Sequence, residues 1–358
     1  MSTPTASDSP AGRQLRVAVI GYGLAGAVFH APLVAATPRM RVAAVVTGNA
    51  ERAAQARSAY DGVKVLPDAD EVFANAGDYD LAVIAAPNDA HAPLAQAALA
   101  AGLPVVVDKP FTPTAAEGAE LVDAAQKAGL LLSVYQNRRW DGDFLTVRRL
   151  VEAGELGAVA RFESRFERWR PTPNGGWREV GGPEQAAGLL YDLGSHLIDQ
   201  ALQLFGPPTD VYAETNTRRE GVRSDDDTFV ALTHAGGVRS HLWMSAVTPQ
   251  LGPRFRVLGS KAAFVKYGLD VQEDALRTGG RPGDENWGVD APERHGLLGA
   301  GDEVRPVVTE RGSYESYYAG IAAALLDGAP VPVDPRGAVQ ALAVIEEARR
   351  QAQGSVVA

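Results

Sequence analysis

The spacing of apolar residues along the chain changes at about Asn137. Before that residue, short continuous apolar runs alternate with helical periodicity, which is typical of buried strands joined by crossover helices. After it, apolar residues recur mostly at every second position, as in half-buried strands. The pattern therefore predicts an α/β protein with two domains, at residues 15–137 and 138–358.

The first domain alternates predicted strands with predicted helices. The strands are predicted at Leu15–Ile20, Arg41–Thr47, Leu81–Ala86, Val105–Val107 and Leu130–Tyr135. Helical patterns begin near Leu24, cover Ala50–Tyr60, and end at Ala101 and Ala128. The last helix opens on Thr114 and Glu117, the spacing of a capping box. This alternation predicts a Rossmann domain.

The second domain is predicted to be an α/β domain with an open, mainly antiparallel sheet. Its strands are predicted at Val159–Arg168, Val211–Thr217, Thr228–Thr233, Val238–Ser245, Arg254–Leu258 and Ala262–Tyr267. Gly236 and Gly237 suit a hairpin turn between two of them. Helices are predicted at Asp143–Ala153, Tyr314–Asp327 and Pro335–Gln351, whereas Pro171–Gly188 is predicted to be a long loop and Gly268–Arg311 to be irregular.

Composition excludes several classes of function. The net charge of −10 over 358 residues argues against nucleic acid as the main partner. The absence of cysteine excludes disulfides, thiolate metal sites and cysteine nucleophiles. No apolar run reaches the roughly 18 residues that span a bilayer, so no membrane association is expected. Residues 1–14 are polar and lack the apolar centre of a signal peptide, which predicts a disordered tail on a cytoplasmic protein.

A glycine-rich turn follows the first strand directly. Its residues are Gly21, Tyr22, Gly23, Leu24, Ala25 and Gly26. In a G-x-G-x-x-G turn the first glycine permits a tight bend, the second lets the backbone approach a pyrophosphate, and the third lets helix and strand pack closely. Because the turn lies between a strand and a helix, it predicts dinucleotide binding rather than a turn without function.

The end of the second strand bears on the choice of dinucleotide. NAD-binding domains usually place an acidic residue there to bind the ribose 2′-hydroxyl, but this chain has Thr47 and Asn49 around Gly48. Without that carboxylate a 2′-phosphate is not repelled, and Arg52 could attract it. The sequence therefore favours NADP, with NAD as the alternative, and Arg52 could equally be a solvated helix charge.

Further candidates lie where later strands end, since ligands of open α/β sheets bind beyond the carboxyl ends of the strands. Those expected to line the cofactor cleft are Ala86, Pro87, Asn88, His91, Asp108, Lys109 and Asn137. His91 could instead bond locally at the start of a helix. Lys109 follows a buried strand, where a partly desolvated ammonium could polarise a hydroxyl or carbonyl group. A structural pair with Asp108 is the alternative for Lys109.

A second cluster contains Asp192 and His196, which are four residues apart and would share one face of a helix. A histidine beside a carboxylate can act as a general base with a fixed orientation. A local pair on the helix surface is the alternative. Gly194, between them, lowers helix propensity, which suggests that a neighbouring group approaches closely.

These motifs together resemble one oxidoreductase family. The segments GYGLAG, PNDAH, VVVDKP and LYDLGSHLIDQ are similar to the glucose–fructose oxidoreductase / inositol dehydrogenase / MocA family, and the similarity extends from about Arg16 to Ala348. QNRRWDGDFLTV, ESRFERWRP and GSKAAFVKYGLD resemble the branch that contains NADP-dependent scyllo-inositol dehydrogenases. The family's usual Glu-Lys-Pro motif has Asp108 in the first position here, and Lys109 is retained.

The resemblance implies a catalytic triad of Lys109, Asp192 and His196 that oxidises a secondary CH–OH group of a polyol or sugar without a metal. His196 would remove the hydroxyl proton, and Lys109 would stabilise the negative charge on the oxygen. Candidates for the substrate wall are aromatic and arginine side chains, namely Arg139, Trp140, Arg165, Trp169 and Trp177. The resemblance also implies a homodimer or homotetramer formed through the second sheet.

Two other functions, a dinucleotide sensor and a methyltransferase, fit the sequence less well, and a third stays open. The family includes a regulator that binds the dinucleotide without catalysis, but a sensor would not need Lys109, Asp192 and His196 together. A reductase of another carbonyl or an imine would use the same fold. A methyltransferase also has a glycine-rich first turn, but the triad and the second domain argue against it.

Overall fold

The computed structural model describes residues 13–354. Most of the predicted N-terminal tail, residues 1–12, lies outside the described residues. Arg13, at the start of the described chain, donates a hydrogen bond of 2.6 Å from Nη2 to Oδ1 of Asp80. No helix within residues 13–354 is long and apolar enough to cross a membrane.

A six-stranded parallel sheet forms the first half of the protein. Its strands are β1 (Leu15–Ile20), β2 (Met40–Val46), β3 (Lys64–Leu66), β4 (Leu81–Ile84), β5 (Val105–Val107) and β6 (Leu132–Val134). They are arranged in the order β3-β2-β1-β4-β5-β6, the Rossmann arrangement, with the reversal of strand order at β1 and β4. Strand β3 was missed because it is only three residues long and begins at the exposed Lys64.

Helices connect these parallel strands. They are α1 (Ala31–Ala36), α2 (Ala50–Ala59), α3 (Asp70–Ala74), α4 (His91–Ala100) and α5 (Ala115–Ala128). The predicted capping box of α5 is confirmed, since Oγ1 of Thr114 accepts a hydrogen bond from the Glu117 amide at 3.2 Å. The helix after the glycine-rich turn begins as a π-helix over Ala25–His30, and such segments occur often at functional sites.

An eight-stranded sheet forms the second half. Its strands are β7 (Val159–Glu167), β8 (Pro208–Asn216), β9 (Asp227–His234), β10 (Arg239–Ser245), β11 (Phe255–Gly259), β12 (Ala263–Lys266), β13 (Gly296–Ala300) and β14 (Glu303–Val307). The order is β14-β13-β12-β11-β7-β10-β9-β8. All neighbouring strands are antiparallel except β7 and β10, so the prediction of a mainly antiparallel sheet is confirmed.

Two segments predicted to be irregular contain regular structure. The remaining helices are α6 (Gly142–Glu152), α7 (Trp177–Val180), α8 (Ser195–Phe205), α9 (Gln272–Arg277), α10 (Glu315–Asp327) and α11 (Pro335–Gly354). Helix α7 lies in the long loop, and α9, β13 and β14 lie in the segment expected to be irregular. The prediction failed for β13 and β14 because they form a sheet edge where Leu297 and Val304 are exposed.

The two faces of the second sheet differ. The helix-covered face carries Phe162, whose ring packs 5.6 Å from that of Phe205 on α8. The open face carries Arg165, whose guanidinium carbon stacks 3.9 Å from the ring centre of Trp243. The C-terminal helix α11 packs back against the first domain. Oε1 of Glu346 on α11 accepts a 2.8 Å hydrogen bond from the amide of Ala115, the first residue of α5.

Candidate active site

The glycine-rich turn leaves a groove at the point where strand order reverses. Gly21 has φ of +96°, and a Cβ atom there would lie 2.5 Å from the carbonyl oxygen of Ala85, just beyond β4. A Cβ on Gly26 would lie 2.0 Å from the Gly21 carbonyl oxygen. Both positions therefore require glycine. A Cβ atom on Gly23 would meet no backbone atom within 4 Å, and Leu24 beside it is 51% exposed, so the turn is free to receive a ligand.

Arg52 lies beside this groove. A Cβ atom on Gly23 would be 3.9 Å from Nη1 of Arg52. The Arg52 amide donates to Oδ1 of Asn49 at 2.9 Å, and the Asn49 amide donates to Oγ1 of Thr47 at 3.2 Å. These bonds cap α2 and fix the start of the helix that carries Arg52. Within residues 13–354, the Arg52 side chain has no ion-pair partner.

The loop after β4 is anchored by its own polar residues. His91 is fully buried, with Nδ1 2.9 Å from the Pro110 carbonyl oxygen and Nε2 3.0 Å from that of Ala86. Both ring nitrogens thus face backbone carbonyl groups, so His91 ties together the loops after β4 and β5, and its contact with the cofactor stays a prediction. Asn88, following Pro87, is also buried and donates from Nδ2 to the Ala186 carbonyl oxygen at 3.2 Å.

Lys109 projects from the end of β5 toward the second domain. Its Nζ donates hydrogen bonds of 2.9 Å to both Oδ1 and the carbonyl oxygen of Asp192. The carboxylate of Asp108 accepts from the Lys109 amide at 2.9 Å, not from its ammonium group. Asp108 Oδ1 also lies 3.5 Å from Nε2 of the buried His30. The structure therefore pairs the Lys109 side chain with Asp192 instead of Asp108.

Asp192 and His196 occupy different kinds of helix. Asp192 lies in a π-helical turn, Leu190–Gly194, and His196 lies in the first turn of α8. A Cβ atom on Gly194 would lie 3.2 Å from Sδ of Met244 on β10, which is the close approach that the glycine suggested. The imidazole of His196 is buried, and its Nδ1 has no hydrogen-bond partner among residues 13–354.

The surroundings of His196 and Asp192 shift the pKa of both groups below their ordinary values. Burial and the positive charge of Lys109 hold the pKa of the His196 imidazole well below its ordinary value. Burial alone would raise the pKa of Asp192, but Lys109 and Arg178 outweigh it, so the pKa of that carboxyl lies below its ordinary value. At neutral pH the site therefore combines a neutral imidazole with an ion pair, which suits proton transfer from a hydroxyl group.

Three of the five proposed substrate-wall residues have packing or ion-pair partners within the fold. Arg139 forms a buried ion pair with Asp199, with Nη2 2.6 Å from Oδ1. The half-buried ring of Trp140 packs 5.7 Å from that of Tyr317. Arg165 lies on the open face, opposite the helix that carries His196. Packing and ion pairing thus engage the side chains of these three residues, and their place in the substrate wall stays a prediction.

The remaining candidates lie nearer the triad or at the surface. Trp177 stacks with Arg178, whose guanidinium carbon lies 4.5 Å from the ring centre. Nε of Arg178 is 3.8 Å from Oδ1 of Asp192, so α7 reaches the triad through this arginine. Trp169 is 55% exposed and its backbone pairs with Val247. Asn137 is buried three residues after the end of β6, beyond the carboxyl edge of the first sheet.

The buried pair of Arg139 and Asp199 predicts a large effect on stability. We expect Arg139→Ala to lower the free energy of unfolding by about 3–5 kcal/mol, because it leaves Asp199 buried without a counterion. Arg148→Ala is the matched control, since its ion pair with Glu152 is exposed and should contribute less than about 1 kcal/mol. Urea unfolding of both variants measures the difference. Equal stability losses would contradict the structural role.

Sequence reasoning missed Arg168 and Arg178 as site residues. Arg168 follows β7 on the helix-covered face, where it is half-buried, and its charge acts on the Asp192 carboxylate. The role of Arg168 could have been predicted from the alternation of β7. Arg168 is an even number of positions from Phe162 and Phe166, so it lies on the same face of the strand as these two apolar residues. Arg178 had no such signal, since it lies on α7, a helix of four residues in the predicted loop, and its proximity to Asp192 depends on tertiary packing.

The Rossmann sheet, the open glycine-rich turn and the second α/β domain define a two-domain dinucleotide-binding oxidoreductase. Residues 15–136 match the description "oxidoreductase family, NAD-binding Rossmann fold", and residues 148–358 match "oxidoreductase family, C-terminal alpha/beta domain". The chain belongs to the glucose–fructose oxidoreductase / inositol dehydrogenase / MocA family.

Individual relatives cover nearly the whole chain. The scyllo-inositol 2-dehydrogenase (NADP(+)) IolW of Bacillus subtilis is 37% identical over 338 residues, which are 93% of this chain and 92% of the relative. The uncharacterized oxidoreductase YdgJ of Escherichia coli is 42% identical over 336 residues, which are 93% and 94% of the two chains. The solved structure of YPO2259 from Yersinia pestis is 39% identical, with a TM-score of 0.90 over 98% of this chain and 99% of that one.

Proposed function

We propose that the protein reversibly oxidises a secondary CH–OH group of a cyclic polyol or sugar to a ketone or lactone, with NADP⁺ as the hydride acceptor. The observation that carries this proposal is the ion pair between Lys109 and Asp192 beside the neutral His196, at the carboxyl edge of the Rossmann sheet. The name of the Bacillus subtilis relative supports a polyol substrate.

Each of the three residues of the triad has a different role in the reaction. When bound, the nicotinamide supplies the hydride acceptor at its C4 atom. His196 takes the hydroxyl proton, because its low pKa keeps the imidazole neutral and able to accept one. Lys109 donates a hydrogen bond to the same oxygen and stabilises its developing negative charge. Asp192 accepts one Nζ–H of Lys109, and this positions the ammonium group.

Two features of the groove at the glycine-rich turn support NADP as the dinucleotide. The turn is open above Gly23, and Arg52 lies at the groove with no carboxylate paired to its guanidinium among residues 13–354. A 2′-phosphate would supply that partner through charge-assisted hydrogen bonds. The absence of an acid at Thr47 and Asn49 removes the residue that would repel the phosphate.

Cofactor preference tests this assignment. We expect Arg52→Glu to raise KM for NADP⁺ by at least about tenfold and to leave KM for NAD⁺ within about twofold, because a charge-assisted contact to the phosphate is lost. Arg57→Glu makes the same charge change on the exposed side of α2 and serves as the control. Initial rates with each dinucleotide give the result. An unchanged preference in Arg52→Glu would contradict a 2′-phosphate site there.

The open face of the second sheet is the surface proposed for self-association. It carries Trp243 stacked on Arg165, and Tyr212 packed 6.4 Å from the ring of Phe229. Aromatic and arginine side chains are enriched in the centres of protein interfaces. A homodimer or homotetramer would bury this face and leave the triad accessible on the other side of the sheet.

A further inference from the structure

Arg168 is the first residue after β7 and lies on the helix-covered face of the second sheet. Its amide donates to the Ser245 carbonyl oxygen at 2.8 Å, so the backbone is still held by β10 where this residue leaves the sheet. Its guanidinium carbon lies 4.8 Å from the ring centre of Phe166. Helix α8, which carries His196, covers the same face, so Arg168 belongs to the side of the sheet that contains the triad.

Two other arginines surround the Phe166 ring, with guanidinium carbons 4.7 Å (Arg138) and 5.9 Å (Arg254) from its centre. Both are engaged. Arg138 pairs with Asp141 and Glu273, and Arg254 donates to Ser164 and Gln200. Among residues 13–354, the Arg168 side chain has no carboxylate within 4.0 Å and no hydrogen-bond acceptor. The N–H groups of its guanidinium are therefore available to bind a ligand.

The two carboxylates whose charge acts on Arg168, those of Asp192 and Glu273, are already engaged by other cations. Asp192 accepts from Lys109 and lies 3.8 Å from Arg178, and Glu273 pairs with Arg138 and Arg277. These two carboxylates are thus shared among four other cations, and neither pairs with Arg168. Burial lowers the pKa of the Arg168 guanidinium, which reflects the unfavourable free energy of a half-buried cation without a counterion.

We propose that Arg168 binds an anionic substituent of the substrate, so that the polyol or sugar carries a carboxylate or phosphate group. A guanidinium binds either group through two parallel N–H···O bonds. An uncharged polyol would cover Arg168 without neutralising it, whereas an anion offsets the desolvation of the cation. This assignment rests on the proposed function, because it names the class of substrate for the same site.

Ligands that differ only at one carbon test the assignment. Glucose, glucuronate and glucose 6-phosphate present a neutral, a carboxylate and a phosphate group at C6, and galactose and galacturonate form a second pair. Calorimetric titration of the protein with saturating NADP⁺ gives each dissociation constant. We expect at least one acid to bind about tenfold or more tightly than its neutral partner, and which acid does so distinguishes carboxylate from phosphate recognition.

Variants assign that preference to Arg168. Arg168→Gln should abolish it, and Arg168→Lys should keep part of it because the charge remains. Arg170→Gln removes the same charge from an exposed neighbour and should leave the preference unchanged. Equal binding of acids and neutral partners by the wild type, no binding of any acid, or a preference that survives Arg168→Gln would overturn the assignment.

Reduction of NADP⁺ by the same ligands separates this inference from the proposed function. Acids that bind through Arg168 but are never oxidised would refute the dehydrogenase activity on these sugars and support the anion site. Neutral sugars that are oxidised as well as the acids, with no preference in binding, would support the dehydrogenase and overturn the role of Arg168.

Discussion

Replacing Lys109 with alanine is expected to lower kcat at least about 100-fold, with the dissociation constant for NADP⁺ nearly unchanged. Nζ of Lys109 is held by two hydrogen bonds of 2.9 Å to Asp192, so it is fixed in place before the substrate binds. A preorganised cation stabilises the developing oxyanion far better than water that must reorient. The loss should therefore affect the chemical step more than binding.

Steady-state rates and dinucleotide titration measure the two effects separately. Lys64→Ala is the control, because Lys64 is an exposed lysine paired with Asp78 and lies away from the triad. Asp192→Asn should give a smaller loss of kcat than Lys109→Ala, since it removes the carboxylate that orients the ammonium and leaves the ammonium itself. Turnover by Lys109→Ala within a few-fold of the wild type would refute the assignment.

Replacing His196 with alanine is expected to lower kcat for oxidation by a similar factor, at least about 100-fold, because no other base replaces it. His241→Ala is the control, since His241 lies on the open face and packs 5.9 Å from the ring of Trp243. Wild-type turnover in His196→Ala would show that another group takes the proton.

The dependence of the rate on pH gives an independent test of His196. Its pKa lies well below the ordinary value of 6.5, so the neutral, active form persists as the pH falls through 6.5. We expect kcat/KM for polyol oxidation to decrease only at lower pH, where the imidazole becomes protonated. An acidic limb at or above pH 6.5 would contradict the neutral imidazole, and the limb should be absent in His196→Ala.

The parts of the site that depend on local sequence could be predicted. The glycine-rich turn requires glycine at Gly21 and Gly26 for reasons of backbone geometry, and those reasons are visible in the motif. Lys109 follows Asp108 and three consecutive valines, and this apolar run places it at the edge of a buried sheet. The cap of α5 at Thr114 and Glu117 is equally local.

The roles that depend on tertiary partners could not be predicted. Arg139 is buried because Asp199 on α8 approaches it, and no spacing in the sequence encodes that pair. His91 faces two backbone carbonyl groups from different loops. Arg165 is a different case. Successive residues of a strand point to opposite faces, so Arg165 had to lie on the face opposite to that of Phe162 and Phe166, which is the open face.

The most direct test of the proposed function is the absorbance of the nicotinamide when the purified protein is mixed with NADP⁺ or NAD⁺ and a panel of inositols, aldoses and the corresponding acids. The account predicts reduction of NADP⁺ by at least one of these compounds, and reduction at least about 100-fold slower in Lys109→Ala and in His196→Ala. Tight dinucleotide binding without reduction by any compound, and without oxidation of NADPH by carbonyls or imines, would contradict it and indicate a dinucleotide sensor.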